Sequence, residues 1–280
     1  MILRPGTFLQ DRYEILEQIG SGGMSVVYKA KCHKLNRLVA IKVLKEEFCN
    51  DSSFVSKFKM EAQSAAGLSH PNIVSVYDVI DEGKLHYIVM ELIEGITLKS
   101  YIQKKGRLEI KETIGIAIQV AQGIAAAHEQ HIIHRDIKPD NIFVDNYGNF
   151  KIGDFGIARI CDKASADLSK KGTENYMAPE VFHGKDYDHT VDIYSLGLVL
   201  YKLLNNNRLP FYPETGSYSE WDMQQALIDR LSGKKELPPP CAASEEFGKI
   251  VLRMCAHDPA ERYQNAKEIL EDLEQALAKA

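Results

Sequence analysis

The sequence predicts an α+β fold in which a small antiparallel sheet with one main helix precedes a larger, mostly helical lobe. Three observations carry that expectation. Strand-type patterning is confined to the residues before Gly95, helical periodicity dominates afterwards, and one long irregular stretch rich in His, Arg, Asp, Lys and Asn interrupts the helical part. With 280 residues, 45% of them hydrophobic, the chain can bury a substantial core as one large domain or two moderate ones.

Taken in order, Tyr13 to Gly20, Ser25 to Lys31 and Arg37 to Leu44 are each rich in Val, Ile or Tyr and are separated by Gly or polar residues, which predicts an antiparallel meander. From Ser52 to Leu68 the residues Phe54, Val55, Phe58, Ala62 and Ala65 fall at helical spacing, and His70-Pro71-Asn72 ends that pattern. Two further β runs, Ile73 to Ile80 and Leu85 to Leu92, turn on Asp81-Glu82-Gly83, giving five strands and a helix. Beyond Gly95 the helical segments are Leu98 to Lys104, Ile110 to Gln130, Val191 to Leu204, Ser219 to Leu231, Glu245 to Cys255 and Ala266 to Ala278. The irregular stretch lies between the second and third of these and carries short β runs at Asn141 to Val144 and Phe150 to Ile152. Long irregular segments inside compact domains are usually functional. Pro238-Pro239-Pro240 reads as an interhelix connection.

Composition excludes several classes. A formal net charge of −5 with 26% charged residues lacks the basic excess of a nucleic-acid binder. Cys32, Cys49, Cys161, Cys241 and Cys255 are an odd, widely spaced set without a CxxC pair, so neither a disulfide framework nor a structural zinc site is indicated and a reducing cytoplasm fits best. The opening Met1-Ile2-Leu3-Arg4-Pro5-Gly6 lacks a signal-peptide pattern. Val191 to Leu204, the longest apolar run, is too short to span a bilayer, contains Asp192 and Lys202, and reads as a buried helix.

Four segments carry chemistry. Gly20-Ser21-Gly22-Gly23-Met24-Ser25-Val26-Val27 joins two strands and holds Ser25 at the third position of a GxGxxG pattern. A dinucleotide-binding turn needs a helix next, whereas Ser25 to Tyr28 is β-prone, so the expected object is a hairpin able to lay backbone amides over phosphates, or simply a tight turn needing positive φ. Val39-Ala40-Ile41-Lys42 puts a lysine on the inward face of an apolar strand, where an ammonium needs a carboxylate or phosphate; Glu61, on the following helix, is the natural candidate. His134-Arg135-Asp136-Ile137-Lys138-Pro139-Asp140-Asn141 gathers a carboxylate, two cations and a carboxamide in a predicted loop. A carboxylate can take the proton of an attacking hydroxyl, a lysine two residues on can steady a transferring phosphoryl group, and an asparagine can ligate magnesium. Asp154-Phe155-Gly156 follows thirteen residues after Asn141, with an acidic residue beside a strand suited to Mg²⁺. Ala178-Pro179-Glu180 closes the region, and Arg262 is a candidate ion-pair partner for Glu180.

This ordered set resembles the eukaryotic-type protein kinase family from about Arg12 to Leu273, and GSGGMSVVY, MEAQSAAGLSHPNIV and HIIHRDIKPDN look most like bacterial serine/threonine kinases, including the cytoplasmic domains of receptor kinases. The resemblance implies a bilobal kinase fold over residues 1–280, with an N-lobe and hinge at 12–94, a C-lobe at 95–280, and ATP in the cleft between lobes. It implies that Lys42 holds the α- and β-phosphates and pairs with Glu61, that Asn141 and Asp154 hold Mg²⁺ or Mn²⁺, and that Asp136 is the catalytic base with Lys138 beside it. Ile19, Gly20, Ser21, Gly22 and Gly23 would cover the nucleotide. Met90 falls at the gatekeeper position, Glu91 to Ile93 form a hinge bonding adenine, and Val27, Ala40 and Phe143 sandwich the ring. Lys138 and Thr173 match the serine/threonine branch, so the expected reaction is transfer to Ser or Thr hydroxyls of protein substrates, with autophosphorylation in a transient homodimer. Arg135 resembles the arginine that pairs with an activation-loop phosphate; between Cys161 and Lys171 only Ser165 and Ser169 offer hydroxyls. The expected location is cytoplasmic, without nucleic acid or membrane contact by this segment, and the resemblance admits a membrane anchor beyond residue 280. A scaffold that binds ATP without transfer predicts damage to Lys42, Asp136, Asn141 or Asp154, and all four are intact. Small-molecule phosphotransferases of related fold typically lack the Ala178-Pro179-Glu180 segment and the loop lysine, and a pure interaction module explains none of the clustered chemistry.

Overall fold

The computed structural model describes residues 3–155 and 174–279. Gly156, Ser165, Ser169 and Thr173, singled out above, lie outside the described residues. The described chain divides into two compact units, one running to Glu94 and including Asp154 and Phe155, the other formed by Gly95–Gly153 and the residues from Glu174 onward.

The first unit is built on strands β1 (Phe8–Leu9), β2 (Tyr13–Ser21), β3 (Ser25–Cys32), β4 (Arg37–Leu44), β5 (Val76–Glu82) and β6 (Leu85–Met90), with helices α1 (Glu46–Cys49) and α2 (Ser52–Ala66). The strands form one antiparallel sheet in the order β1-β2-β3-β4-β6-β5. The sequence pattern predicts five strands; the sixth, β1, pairs only Phe8 and Leu9 with Glu14 and Tyr13 and is too short to show a period. Alternation along β4 divides its side chains between two environments. Val39, Ile41 and Val43 join a cluster with Ile15, Tyr28, Tyr87 and Val89. Leu44 packs with Phe48, Phe58, Ala62 and Ile88, which places the even-numbered residues of β4, Lys42 among them, on the side covered by α2. Helix α2 starts where the Asp51 carboxylate accepts the Ser53 amide at 2.9 Å, and it buries Phe58, Ala62 and Ala65 as an i, i+4, i+7 stripe.

The second unit has a small antiparallel sheet, β7 (Gly95–Thr97), β8 (Ile142–Asp145) and β9 (Phe150–Ile152), in that order. Its helices are α3 (Leu98–Lys105), α4 (Ile110–Glu129), α5 (Pro179–Phe182), α6 (Thr190–Leu204), α7 (Glu220–Ser232), α8 (Glu245–Met254) and α9 (Ala266–Lys279). The long apolar run is α6, and every one of its residues except Lys202 is buried. Leu198, Val199 and Leu200 are wholly enclosed, and burial of such side chains contributes roughly 1.5–3 kcal/mol each. A Cβ on Gly197 would lie 2.7 Å from Cys255 Sγ and 2.8 Å from Met254 Cβ, so glycine is what lets α6 approach the end of α8. A reciprocal cap between Ser219 and Asp222 starts α7, and Gly233 in the left-handed region ends it. That helix leaves Trp221 68% and Ile228 59% exposed. Among the described residues no helix is long and apolar enough to cross a membrane, and Cys32, Cys49, Cys241 and Cys255 are free thiols.

Candidate active site

In the first unit the glycine-rich segment is a hairpin. Gly20 and Ser21 belong to β2, opposite Val27 and Val26, and the Gly22 amide bonds the Ser25 carbonyl at 2.8 Å. A strand rather than a helix follows, which removes the dinucleotide-turn alternative. Neither Gly20 nor Gly22 has positive φ, and a Cβ on either would make only ordinary contacts, 3.6 Å to Val27 on Gly20 and 3.8 Å to the Ser25 carbonyl on Gly22. The fold therefore does not demand glycine at these two places. Ile19 is about half exposed at a register shift between Gln18 and Gly20.

Lys42 lies on an interior strand, between β3 and β6. Its Nζ is 2.8 Å from Glu61 Oε1 and 3.0 Å from Asp154 Oδ1. Lys42 and Glu61 side chains are 12% and 14% exposed, so an unpaired ammonium here would carry a large desolvation cost. Burial lowers the Lys42 pKa, but the charges of Asp154 and then Glu61 outweigh it and hold the group above its ordinary value, charged throughout the physiological range. Glu61 was expected from the sequence; the bond to Asp154, 112 residues away, was not. Asp154 itself has φ of 55°, a left-handed conformation uncommon outside glycine and found where a side chain must be aimed. Ala40 faces Met90 in register and Val27 faces Lys42. The Glu91 amide bonds the Ser75 carbonyl at 2.8 Å, while its carboxylate accepts the Ser75 amide at 3.1 Å; Ile93 is half-buried just beyond.

In the second unit the residues from His134 to Asn141 form a loop ending in a 3-10 turn at Pro139–Asn141. Asn141 Nδ2 donates to both the carbonyl and the Oδ2 of Asp136, each at 2.9 Å, and Lys138 Nζ stands 3.0 Å from the same Oδ2. Asp136 is thus oriented by a carboxamide and faced by a cation, contacts that fix the position of its carboxylate. The Asp136 amide donates to His134 Nδ1 at 3.2 Å, which leaves the ring proton on Nε2 to donate to the Gly153 carbonyl at 2.9 Å. The Gly153 amide returns a 3.0 Å bond to the Asn141 carbonyl, so the loop grips the residue immediately before Asp154. Phe143 lies on β8, opposite Thr97 and Lys151.

What holds the loop was not read from the sequence. Asp192, wholly buried at the start of α6, accepts the backbone amides of His134 and Arg135, each at 2.8 Å, and His128 Nε2 at 2.8 Å. Burial raises its pKa, but the His128 hydrogen bond and charge and the backbone donors outweigh this and hold it below the usual carboxylate range. Arg135 adopts φ of 68°, and its Nε donates to Tyr187 at 3.1 Å. The segment from Glu174 to Met177 is tied down in the same way. Arg230 donates to the carbonyls of Glu174 and Met177 at 2.9 Å, and Ser195 Oγ donates to the Tyr176 carbonyl at 2.7 Å. Glu180 and Arg262 form a two-pronged ion pair at 2.6 and 2.9 Å, as their sequence context suggested. A signal for Asp192 was available: a carboxylate inside an apolar helical run must have partners.

The chain is similar to known proteins in sequence and in fold. The family profile described as protein kinase domain matches residues 13–273. A probable serine/threonine-protein kinase of Clostridium perfringens (strain 13 / Type A) is 42% identical over 96% of this chain and 39% of its own length. Serine/threonine-protein kinase PrkC of Bacillus subtilis (strain 168) is 41% identical over 97% of this chain and 41% of its own. The chain therefore spans about two fifths of the curated relatives it matches. A crystal structure of a double mutant of the Mycobacterium tuberculosis PknI kinase domain superposes with a TM-score of 0.71 over 99% of this chain and 100% of that one, at 23% identity, a likeness of fold.

Proposed function

The chain belongs to the protein kinase domain family, and from that premise we propose that it transfers the γ-phosphoryl group of ATP to serine and threonine hydroxyls of proteins. One observation carries the reading: the Asp136 carboxylate, held by Asn141 and faced by Lys138 within 3.0 Å. In the proposed step the acceptor hydroxyl gives its proton to Asp136 while its oxygen bonds to the γ-phosphorus. The bond from that phosphorus to the β-γ bridging oxygen breaks, and ADP leaves with the electron pair. Lys138 steadies the charge on the transferring group, and Lys42, fixed by Glu61, holds the α- and β-phosphates.

The family uses ATP with a divalent metal. Here Asp154 and Asn141 would hold it; a carboxylate and a carboxamide oxygen are hard donors suited to magnesium, with manganese as the alternative. When bound, the ion would neutralise phosphate charge. Glycines that the fold does not require at 20 and 22 support close approach of phosphates to the hairpin backbone. Ile19, Ser21 and Gly23 would complete that cover, while Val27, Ala40, Met90, Glu91, Ile93 and Phe143 would receive adenine, and Thr173 would help place the acceptor. A cytoplasmic location belongs to the same proposal, on the ground of five widely spaced cysteines without a CxxC pair. Autophosphorylation in a transient dimer would make the rate per molecule rise with enzyme concentration.

The test is incubation with Mg-ATP and a generic protein acceptor beside Asp136→Asn, with phosphosites mapped by mass spectrometry. Phosphoserine or phosphothreonine formed only by the parent is expected. Nucleotide binding without transfer under varied metal and partner conditions would overturn the reading in favour of a scaffold.

A further inference from the structure

Lys202 is the one residue of α6 that is not buried, and its position is unusual for a lysine. Among the described residues its ammonium has a single hydrogen-bond acceptor, the Tyr176 phenol oxygen at 3.3 Å, and no carboxylate within ion-pair distance. Burial pulls its pKa down, Asp140 pulls it up, and Lys99 pulls it down again, which places all three groups within electrostatic reach of one another. Asp140 does not neutralise Lys202, because Lys99 Nζ already holds its Oδ1 at 2.7 Å. Two lysines thus share one carboxylate, leaving one positive charge unbalanced. A half-buried cation without an anion is unfavourable until one arrives.

The cluster stands beside the chemistry. Asp140 lies on the 3-10 turn that closes the Asp136 loop, and Tyr176 lies in the segment fixed by Arg230 and Ser195. Lys99 and Asp140 side chains are 56% and 43% exposed, so an arriving chain can reach the group.

We propose that Lys202, together with Lys99, receives an acidic side chain of the acceptor protein that flanks the serine or threonine being phosphorylated. This rests on the kinase reading above and adds a substrate class to it. An aspartate or glutamate there gains a charge-assisted bond to a partly desolvated ammonium, worth roughly a tenfold gain in kcat/KM over alanine.

The experiment scans Asp, Ala and Arg through each flanking position of a serine-centred peptide, using the full chain and the Lys202→Met and Lys202→Glu variants. The parent should favour an acidic residue at one flanking position about tenfold, mainly through peptide KM. Lys202→Met should flatten that preference, and Lys202→Glu should turn it towards arginine at the same position, a reversal that loss of structure cannot produce. Transfer by the parent without an acidic preference, or a preference unchanged in both variants, overturns this inference and leaves the kinase reading standing. No transfer to any peptide or protein acceptor overturns both.

Discussion

The ion pair between Glu180 and Arg262 allows a stability prediction worked from its geometry. Arg262 is 1% exposed, and besides Glu180 it donates to the carbonyls of Ala256, Thr190 and His257, so the guanidinium cannot swing to water when its carboxylate is lost. Removing one partner of such a buried pair costs about 3–5 kcal/mol, because an uncompensated charge stays inside. Unfolding entropy grows by about 2 cal/mol/K per residue, so for a chain of this length each kcal/mol moves the midpoint roughly 2 °C. Glu180→Ala should therefore unfold about 6–10 °C below the parent when followed by far-UV circular dichroism. Glu180→Gln, which keeps shape without charge, should fall between. Glu180→Leu combined with Arg262→Met should recover a large part of the loss, giving a coupling of about 2 kcal/mol or more in the double-mutant cycle. A Glu180→Ala shift under 2 °C, or a double variant whose loss equals the sum of the single losses, would refute the reasoning.

Three further outcomes follow from other sites. Gly20→Ala should change unfolding free energy by no more than about 0.5 kcal/mol, since its Cβ meets only Val27 at 3.6 Å, yet weaken ATP roughly tenfold in a nucleotide titration. Equal loss of stability and binding would mean that the fold requires that glycine after all. Glu61→Gln leaves Lys42 with Asp154 alone and should lower kcat/KM for ATP by roughly ten- to hundredfold, measured by initial rates against the parent; an unchanged value would mean that Asp154 suffices to fix Lys42. Because the folded pKa of Asp192 lies below its unfolded value, its contribution is fully present above the ordinary aspartate pKa of about 4 and is lost as pH falls through the folded value. Asp192→Asn should cost about 1–3 kcal/mol at neutral pH and show a shallower acid decline in urea unfolding, whereas parallel pH profiles would remove Asp192 from the acid transition.

Local patterns made much of this legible. Strands β2 to β4, helix α2 and the buried α6 follow from side-chain periodicity, and the burial of Lys42 made a carboxylate partner necessary before one was seen. Strand β1 stayed hidden because two residues have no period, and β5 begins at Val76 rather than Ile73 because burial of Ile73 and Val74 mimics a strand. The polar anchors were harder to read. Asp192 bonds residues some 57 to 64 positions away, and Arg230 reaches 53 and 56 positions back, separations at which spacing carries no signal. Asp192 and Lys202 first mattered only as reasons why an apolar run could not span a bilayer. Their roles emerge once it is asked what a charged group in such a helix touches.

The exposed edge of α7 also decides how this protein can be watched. Trp221 is the only tryptophan in the chain and stands in solvent. Its emission should already be that of a hydrated indole, so melting the core should barely alter the signal, and a fluorescence trace would miss the transitions that circular dichroism records. The same indole becomes a built-in reporter for anything that covers α7, whose arrival should shift the spectrum to shorter wavelength without an attached dye.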